Sequence, residues 1–282
     1  MTSAAVFLLQ TQNPDGGWGY RADARSVSYV EPTAAVILTL RNDDARGRAG
    51  EYLLSIQHAD GGWGIAAMDP ESGWMTAWAV LALTAFSDAR DAAARGAQWL
   101  IDTEGLRVTD AASRATIYQR LQIDSTLLGW PWQPGDAAWV HPTSLAMLAL
   151  CAVGKSDEPR VRDGIAYLFD RAVASGGWNI GNPEMLGKAV SATIQDTAVA
   201  LRALRATNVA SDTRQVTRAL AYLRDAIGRA QTSAELAWGI YALHEWSIET
   251  GDGLTRLSGL QNADGSWQSN PFITAIAELA IR

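Results

Sequence analysis

QNPDGGWGY, residues 12–20, returns as QHADGGWG at 57–64 and as QNADGSW at 261–267. A turn needs Asp and Gly, but no turn needs a Gln six positions ahead of a Trp. Repetition at that spacing is the mark of a structural repeat, and a repeat decides the architecture before any single residue does.

The fullest copy is RAGEYLLSIQHADGGW, Arg48 to Trp63, and the first copy keeps its second half as FLLQTQNPDGGW. Three other copies are worn. RGAQWLIDTEG, from Arg95, has Glu104 in the Gln place; DGIAYLFDRAVASGGW keeps Tyr167, Leu168 and Trp178 with Ala172 for Gln; RALAYLRDAIGRA, from Arg218, keeps only the helical half. RLSGLQNADGSW restores Gln261 and Trp267, which makes six units at a period of roughly forty to fifty residues.

Each unit is followed by a segment of another character: EPTAAVILTL, GWMTAWAVLALTAF, HPTSLAMLALCAV, QDTAVALRAL, AELAWGIYAL and NPFITAIAELAI. These are apolar around most of a helix, whereas the repeat segments carry charge on one face. Helices apolar all round are buried and amphipathic ones cover them. Six of each in alternation predict an all-α fold, an (α/α)6 barrel of six helical hairpins that fills residues 1–282 as a single domain. An open solenoid is the competing architecture; against it, the last hairpin has no polar capping face. About forty residues separate the third outer helix from its inner partner, and a short helix is expected there near Ser113 to Gln122.

The net charge of -7 argues against nucleic acid as a partner, and one cysteine, Cys151, excludes a disulfide framework. The N-terminus does not read as a signal peptide and no stretch reads as a transmembrane segment. A cytoplasmic protein, at most peripheral to a membrane, is expected.

Gln12, Gln57 and Gln261, with Trp18, Trp63, Trp178 and Trp267, are read as structural: an amide bridges helix-end groups while an indole packs beside it. The pattern of aromatic-Leu, Gln, Gly and Trp resembles the QW motif of squalene-hopene and oxidosqualene cyclases, and the ring of hairpins is similar to prenyltransferase β-subunits. Squalene-type cyclases resemble two such barrels, so the resemblance implies that the partner half is either missing here or supplied in trans by a second barrel or partner protein. It also implies an isoprenoid ligand and, in an enzyme, class II cyclisation begun by protonating an alkene.

Those cyclases resemble one another in an Asp-x-Asp-Asp-Thr-Ala stretch whose central Asp gives the proton. The matching residues here are Thr193 to Ala198, with Gln195 in the donor place and Asp196 after it. Asp196 is the first candidate acid, joined by Glu31 and His141 at comparable inner-helix starts, as is Glu235; capping is the competing reading for each. Trp74, Trp78, Trp130, Trp132, Trp139, Trp238 and Tyr241 are candidate ring faces for a carbocation or alkene, with Gln195 beside them; core filling is the alternative. The prenyltransferase zinc needs Asp, Cys and His, and no Asp-x-Cys pair anchors one, so neither a metal nor a cofactor is expected. Arg21, Arg25, Arg114 and Arg120 are loop cations that could meet a diphosphate. A non-catalytic isoprenoid-binding or protein-interaction barrel is the second functional reading.

Overall fold

The computed structural model describes residues 2–23 and 26–282, so Arg25 lies outside the described residues. Outer helices are α1 (Ser3–Gln10), α3 (Asp43–Ser55), α5 (Arg90–Asp102), α8 (Pro159–Asp170), α10 (Arg214–Arg229) and α12 (Gly253–Gly259). Between them run the inner helices α2 (Val30–Thr39), α4 (Met75–Leu83), α7 (Val140–Ala152), α9 (Ile194–Ala206), α11 (Ser233–Glu245) and α13 (Pro271–Ile281). α6 (Ala111–Leu121) is the short helix expected in the long connection.

Local chemistry sets the starts. Thr2, Asn42, Thr193 and Asn270 each accept a backbone N–H of the first turn of their helix, and Thr232 with Glu235 completes a reciprocal cap on α11. Amphipathicity then sorts the layers: α10 buries the stripe Val216, Ala219, Leu223, Ala226 and Ile227, whereas α7 buries everything from Val140 to Leu150. Each inner helix packs on the next, and α13 returns to α2, so the ring is closed. Thr39 donates to the carbonyl of Ala275 at 3.2 Å, joining first and last inner helices and excluding the open solenoid. No described helix is long and apolar enough to cross a membrane.

The repeated turn is a bracket with two hydrogen bonds from its Trp. The indole N–H of Trp18, Trp63, Trp178 and Trp267 donates to the carbonyl of Leu8, Leu53, Leu168 and Leu257 in the preceding outer helix, at 2.6 to 2.7 Å. The backbone N–H of the same Trp donates to a Thr in the first turn of the next inner helix: Thr33, Thr76, Thr197 and Thr274. Trp130 makes both bonds as well, to Leu100 and Thr143. It was grouped with the candidate ligand-facing rings, but it is the bracket Trp of the third unit, fully engaged in the wall.

Gln reaches further than its own helix end. Gln12 Nε2 donates to Gly16 in its turn and, at 2.8 Å, to the Ala45 carbonyl of the next outer helix, while its Oε1 accepts from Arg48. Gln57 repeats this with Gly61, Ala92 and Arg95. Gln261 closes the circle, donating to Gly265 and to Ser3 Oγ of α1 at 3.2 Å.

Glycine at the turn is required by approach. Gly265 has φ of +89°, and a Cβ there would lie 2.3 Å from the Ser3 carbonyl oxygen. Gly265→Ala is expected to lower unfolding free energy by about 2 kcal/mol or more, from left-handed strain plus displacement of α1. Urea denaturation measures it, and an unchanged midpoint would show that α1 does not need that contact.

The third unit departs from the others because residues 103–129 loop out between Leu100 and its bracket Trp. α6 buries none of its residues, and a short antiparallel pairing sets Trp130 opposite Trp139. Arg160 gathers both roots of the excursion, donating to the carbonyls of Thr103 at 3.1 Å and Gly129 at 3.2 Å, with its guanidinium 4.1 Å over the Trp130 ring.

Candidate active site at the barrel mouth

The brackets also lace one end of the ring. The backbone N–H that opens α2 donates to Ile65, that of Trp74 before α4 to Trp132, and that opening α7 to Ile180, at 2.9 to 3.1 Å. Each acceptor stands two residues past the bracket Trp of the next unit, so helix-end donors that would otherwise be orphaned are satisfied around the mouth.

The bracket Thr also supplies a register for comparing the hairpins. Two residues before it stand Glu31, Trp74, His141, Gln195 and Phe272. Glu31, His141 and Phe272 are buried, Trp74 is half-buried and Gln195 is exposed. In Asp-x-Asp-Asp-Thr-Ala that place belongs to the proton donor. In α9 it holds Gln195, but in α2 it holds a carboxyl, in Glu31-Pro32-Thr33-Ala34.

Glu31 is 8% exposed and accepts the phenol O–H of Tyr20 on Oε2. Burial pushes its carboxyl above the ordinary range; Tyr20, His141 and the Trp78 indole oppose the shift without offsetting it. The Trp78 N–H is near enough to favour the charged form yet meets no acceptor in hydrogen-bonding geometry. Beside this group is an aromatic cluster. Trp78 meets Phe272 edge-on at 5.9 Å and Trp238 at 6.5 Å between centroids, and Tyr20 meets Phe272 at 6.0 Å.

His141 lies within electrostatic reach of Glu31 and stacks on Trp132, with centroids 5.7 Å apart and planes at 21°, while Trp74 meets its edge. Its Nδ1 is 3.7 Å from Asp196 Oδ1. Asp196 is half-buried; its Oδ2 accepts from Thr193 Oγ1 at 2.8 Å, and Thr193 accepts its backbone N–H in turn. It is therefore both part of the α9 cap and the partner of His141.

Glu31, His141 and Asp196 thus come together with Trp74, Trp78, Trp132 and Trp238. Trp130 does not join them, being a bracket. Trp139, in the small ladder, packs its ring against Gly181, and Gln195 faces solvent. Tyr241, a turn beyond Trp238 along α11, is held by Arg202, whose Nη2 donates to the phenol at 2.9 Å and whose guanidinium lies 3.9 Å over the ring; Arg202 also pairs with Glu245. Glu235 caps its own helix. Tyr20 and Phe272 belong to the site and were missed by the sequence reading. A usable signal existed: Tyr20 and Trp132 occupy the same place, two residues after a bracket Trp. Among the described residues no three His, Cys, Asp or Glu side chains gather to hold a metal ion.

The raised Glu31 carboxyl has a stability consequence whose sign is fixed. Below about pH 4 the group is protonated both folded and unfolded. Above that the unfolded chain releases the proton and the folded chain keeps it, so stability falls with rising pH until the folded carboxyl also ionises. Glu31→Gln is expected to remove this decline, gaining on the parent at up to about 1.4 kcal/mol per pH unit across that window. Urea midpoints from pH 4 to 8 test it; parallel curves for parent and variant would contradict the assignment.

The profile of the squalene-hopene cyclase C-terminal domain matches residues 1–111, the segment that contains the two best-preserved brackets. No curated protein matches the sequence. The type II terpene cyclase MstE from Scytonema is similar in structure, with a TM-score of 0.65 at 17% identity over 99% of this chain and 95% of that one. A variant of that cyclase in complex with its substrate, geranylgeranyl dihydroxybenzoate, gives 0.69 at 16% identity over 99% of this chain and 94% of that one. An α-1,6-mannanase of Salegentibacter gives 0.66 at 9% identity, over 99% and 96%. At such identities the likenesses show the fold alone, a closed helical barrel that a terpene cyclase and a mannanase share. Coverage of 95% leaves no room in the Scytonema chain for a second barrel, so the partner expected in trans has no support there.

Proposed function

We propose that this chain is a single-barrel class II terpene cyclase, with Glu31 as the acid. The observation that carries the reading is a buried carboxyl, in the donor place of the hairpin register, which burial pushes above its ordinary range beside Trp78, Trp238 and Phe272. The substrate is a linear isoprenoid. Its terminal alkene takes the proton from Glu31: a C–H bond forms from the alkene π pair, the O–H bond breaks, and the positive charge appears on the adjacent carbon. Further alkenes close rings onto that carbon, and loss of a proton from the final cation ends the sequence. Apolar helices exclude water from the cations, and the ring faces stabilise them by about 1 to 2 kcal/mol each. Asp196, the least buried of the three, and His141 between it and Glu31 provide the side from which the Glu31 carboxylate regains a proton. The protein would act in the cytoplasm, meeting membranes only peripherally.

Gln195 favours a second reading, a barrel that binds an isoprenoid without turning it over. Incubation with geranylgeranyl diphosphate, farnesyl diphosphate and squalene, followed by mass spectrometry of extracted products, separates the two. Cyclised product supports the first; saturable binding with no product supports the second.

A further inference from the structure

We infer that Tyr20 is the positioning residue of this site: its phenol O–H, donated to Glu31 Oε2, leaves the acidic proton to Oε1 and holds the carboxylate once that proton has gone. This rests on the reading of Glu31 as the acid.

The geometry of the first bracket makes the pairing a built feature. Trp18 N–H donates to Thr33 Oγ1 at 2.9 Å, and the Trp18 carbonyl accepts from Tyr29 N–H at 2.9 Å. Tyr20 lies two residues after one end of that clamp and Glu31 two before the other, so their separation is set by the bracket. Packing aims the ring from two sides, Tyr29 at 5.1 Å and Phe272 edge-on at 6.0 Å. Burial, and then the charge of Glu31, hold the phenol protonated far above its ordinary range, so it is a donor at any working pH.

Other groups cannot take over this role. His141 acts on Glu31 through charge, the Trp78 N–H is outside bonding geometry, Phe272 is apolar, and Tyr29 packs at a tilt against the Tyr20 ring. A hydrogen bond to a carboxylate is about twice as strong as one to a neutral carboxyl, so Tyr20 favours the state that follows proton release. Its removal is expected to weaken the acid about tenfold or more.

The test needs no substrate. Infrared difference spectra of parent and Glu31→Gln identify the C=O band of the protonated Glu31 carboxyl. Tyr20→Phe keeps the ring and its packing; the band is expected at higher frequency, with its titration midpoint raised by about one pH unit or more. Fluorotyrosine at position 20, a stronger donor, is expected to move the midpoint the other way. A merely structural Tyr20 would lower thermal stability and leave band and midpoint in place, and that result overturns the inference while leaving Glu31 as the acid. If Glu31→Gln removes no protonated-carboxyl band, the reading of Glu31 fails and the role of Tyr20 falls with it.

Discussion

Glu31→Gln is expected to lower cyclisation by about a thousandfold while leaving isoprenoid binding within a few-fold of the parent. The amide keeps the volume of the carboxyl and can still meet the Tyr20 phenol, so the surrounding packing is preserved. What it lacks is an acidic proton, and nothing short of an acid delivers one to carbon. Asp196→Asn is the necessary companion. Asp196 is half-buried and committed to Thr193, so its replacement is expected to reduce activity only several-fold and stability by about 1 kcal/mol, the usual value of a cap. Product yields from the two variants decide between them: a thousandfold loss in Asp196→Asn with a mild effect in Glu31→Gln would return the acid to α9.

The second large effect concerns the wall. Trp178→Ala is expected to lower unfolding free energy by about 3 to 5 kcal/mol, since it empties a fully buried indole site. Trp178→Phe should lower it by about 1 to 3 kcal/mol by leaving the Leu168 carbonyl unpaired. Against a typical stability of about 5 to 15 kcal/mol, the alanine variant stands near the edge of folding. Equilibrium urea titrations give both values; a Phe variant as damaged as the Ala variant would mean that the hydrogen bond, not the filling of the site, dominates the bracket.

The architecture was legible because the bracket is local. Gln, Gly and Trp lie within seven residues, and the bonds they make are short-range or directed to the next copy. Trp130 escaped that reading for the same reason in reverse: thirty residues separate it from Leu100, so its bracket bond leaves no local trace. The candidate site was legible only in part. Glu31, His141 and Asp196 could be named from their places at helix starts, but their order of importance depends on burial. Asp196 had the motif and the less buried place; Glu31 had neither a motif in its own hairpin nor any sign of the apolar surroundings that raise its carboxyl. Tyr241 has the spacing of an inward-facing residue from Trp238, and only the neighbouring helix reveals that Arg202 has claimed it.

The seam between α13 and α1 is made of the same parts as every other joint. Gln261 reaches Ser3 as Gln12 reaches Ala45, and Gly265 abuts Ser3 as Gly16 abuts Arg48. Thr2 and Arg282 border one groove, so the two ends of the chain lie close together. Residues 2 and 282 thus meet at a joint the ring itself does not distinguish. Circular permutation should therefore be tolerated: joining the present termini through a short linker and opening the chain at exposed Arg41, between two intact hairpins, is expected to give the same barrel with its order of synthesis rotated by one unit.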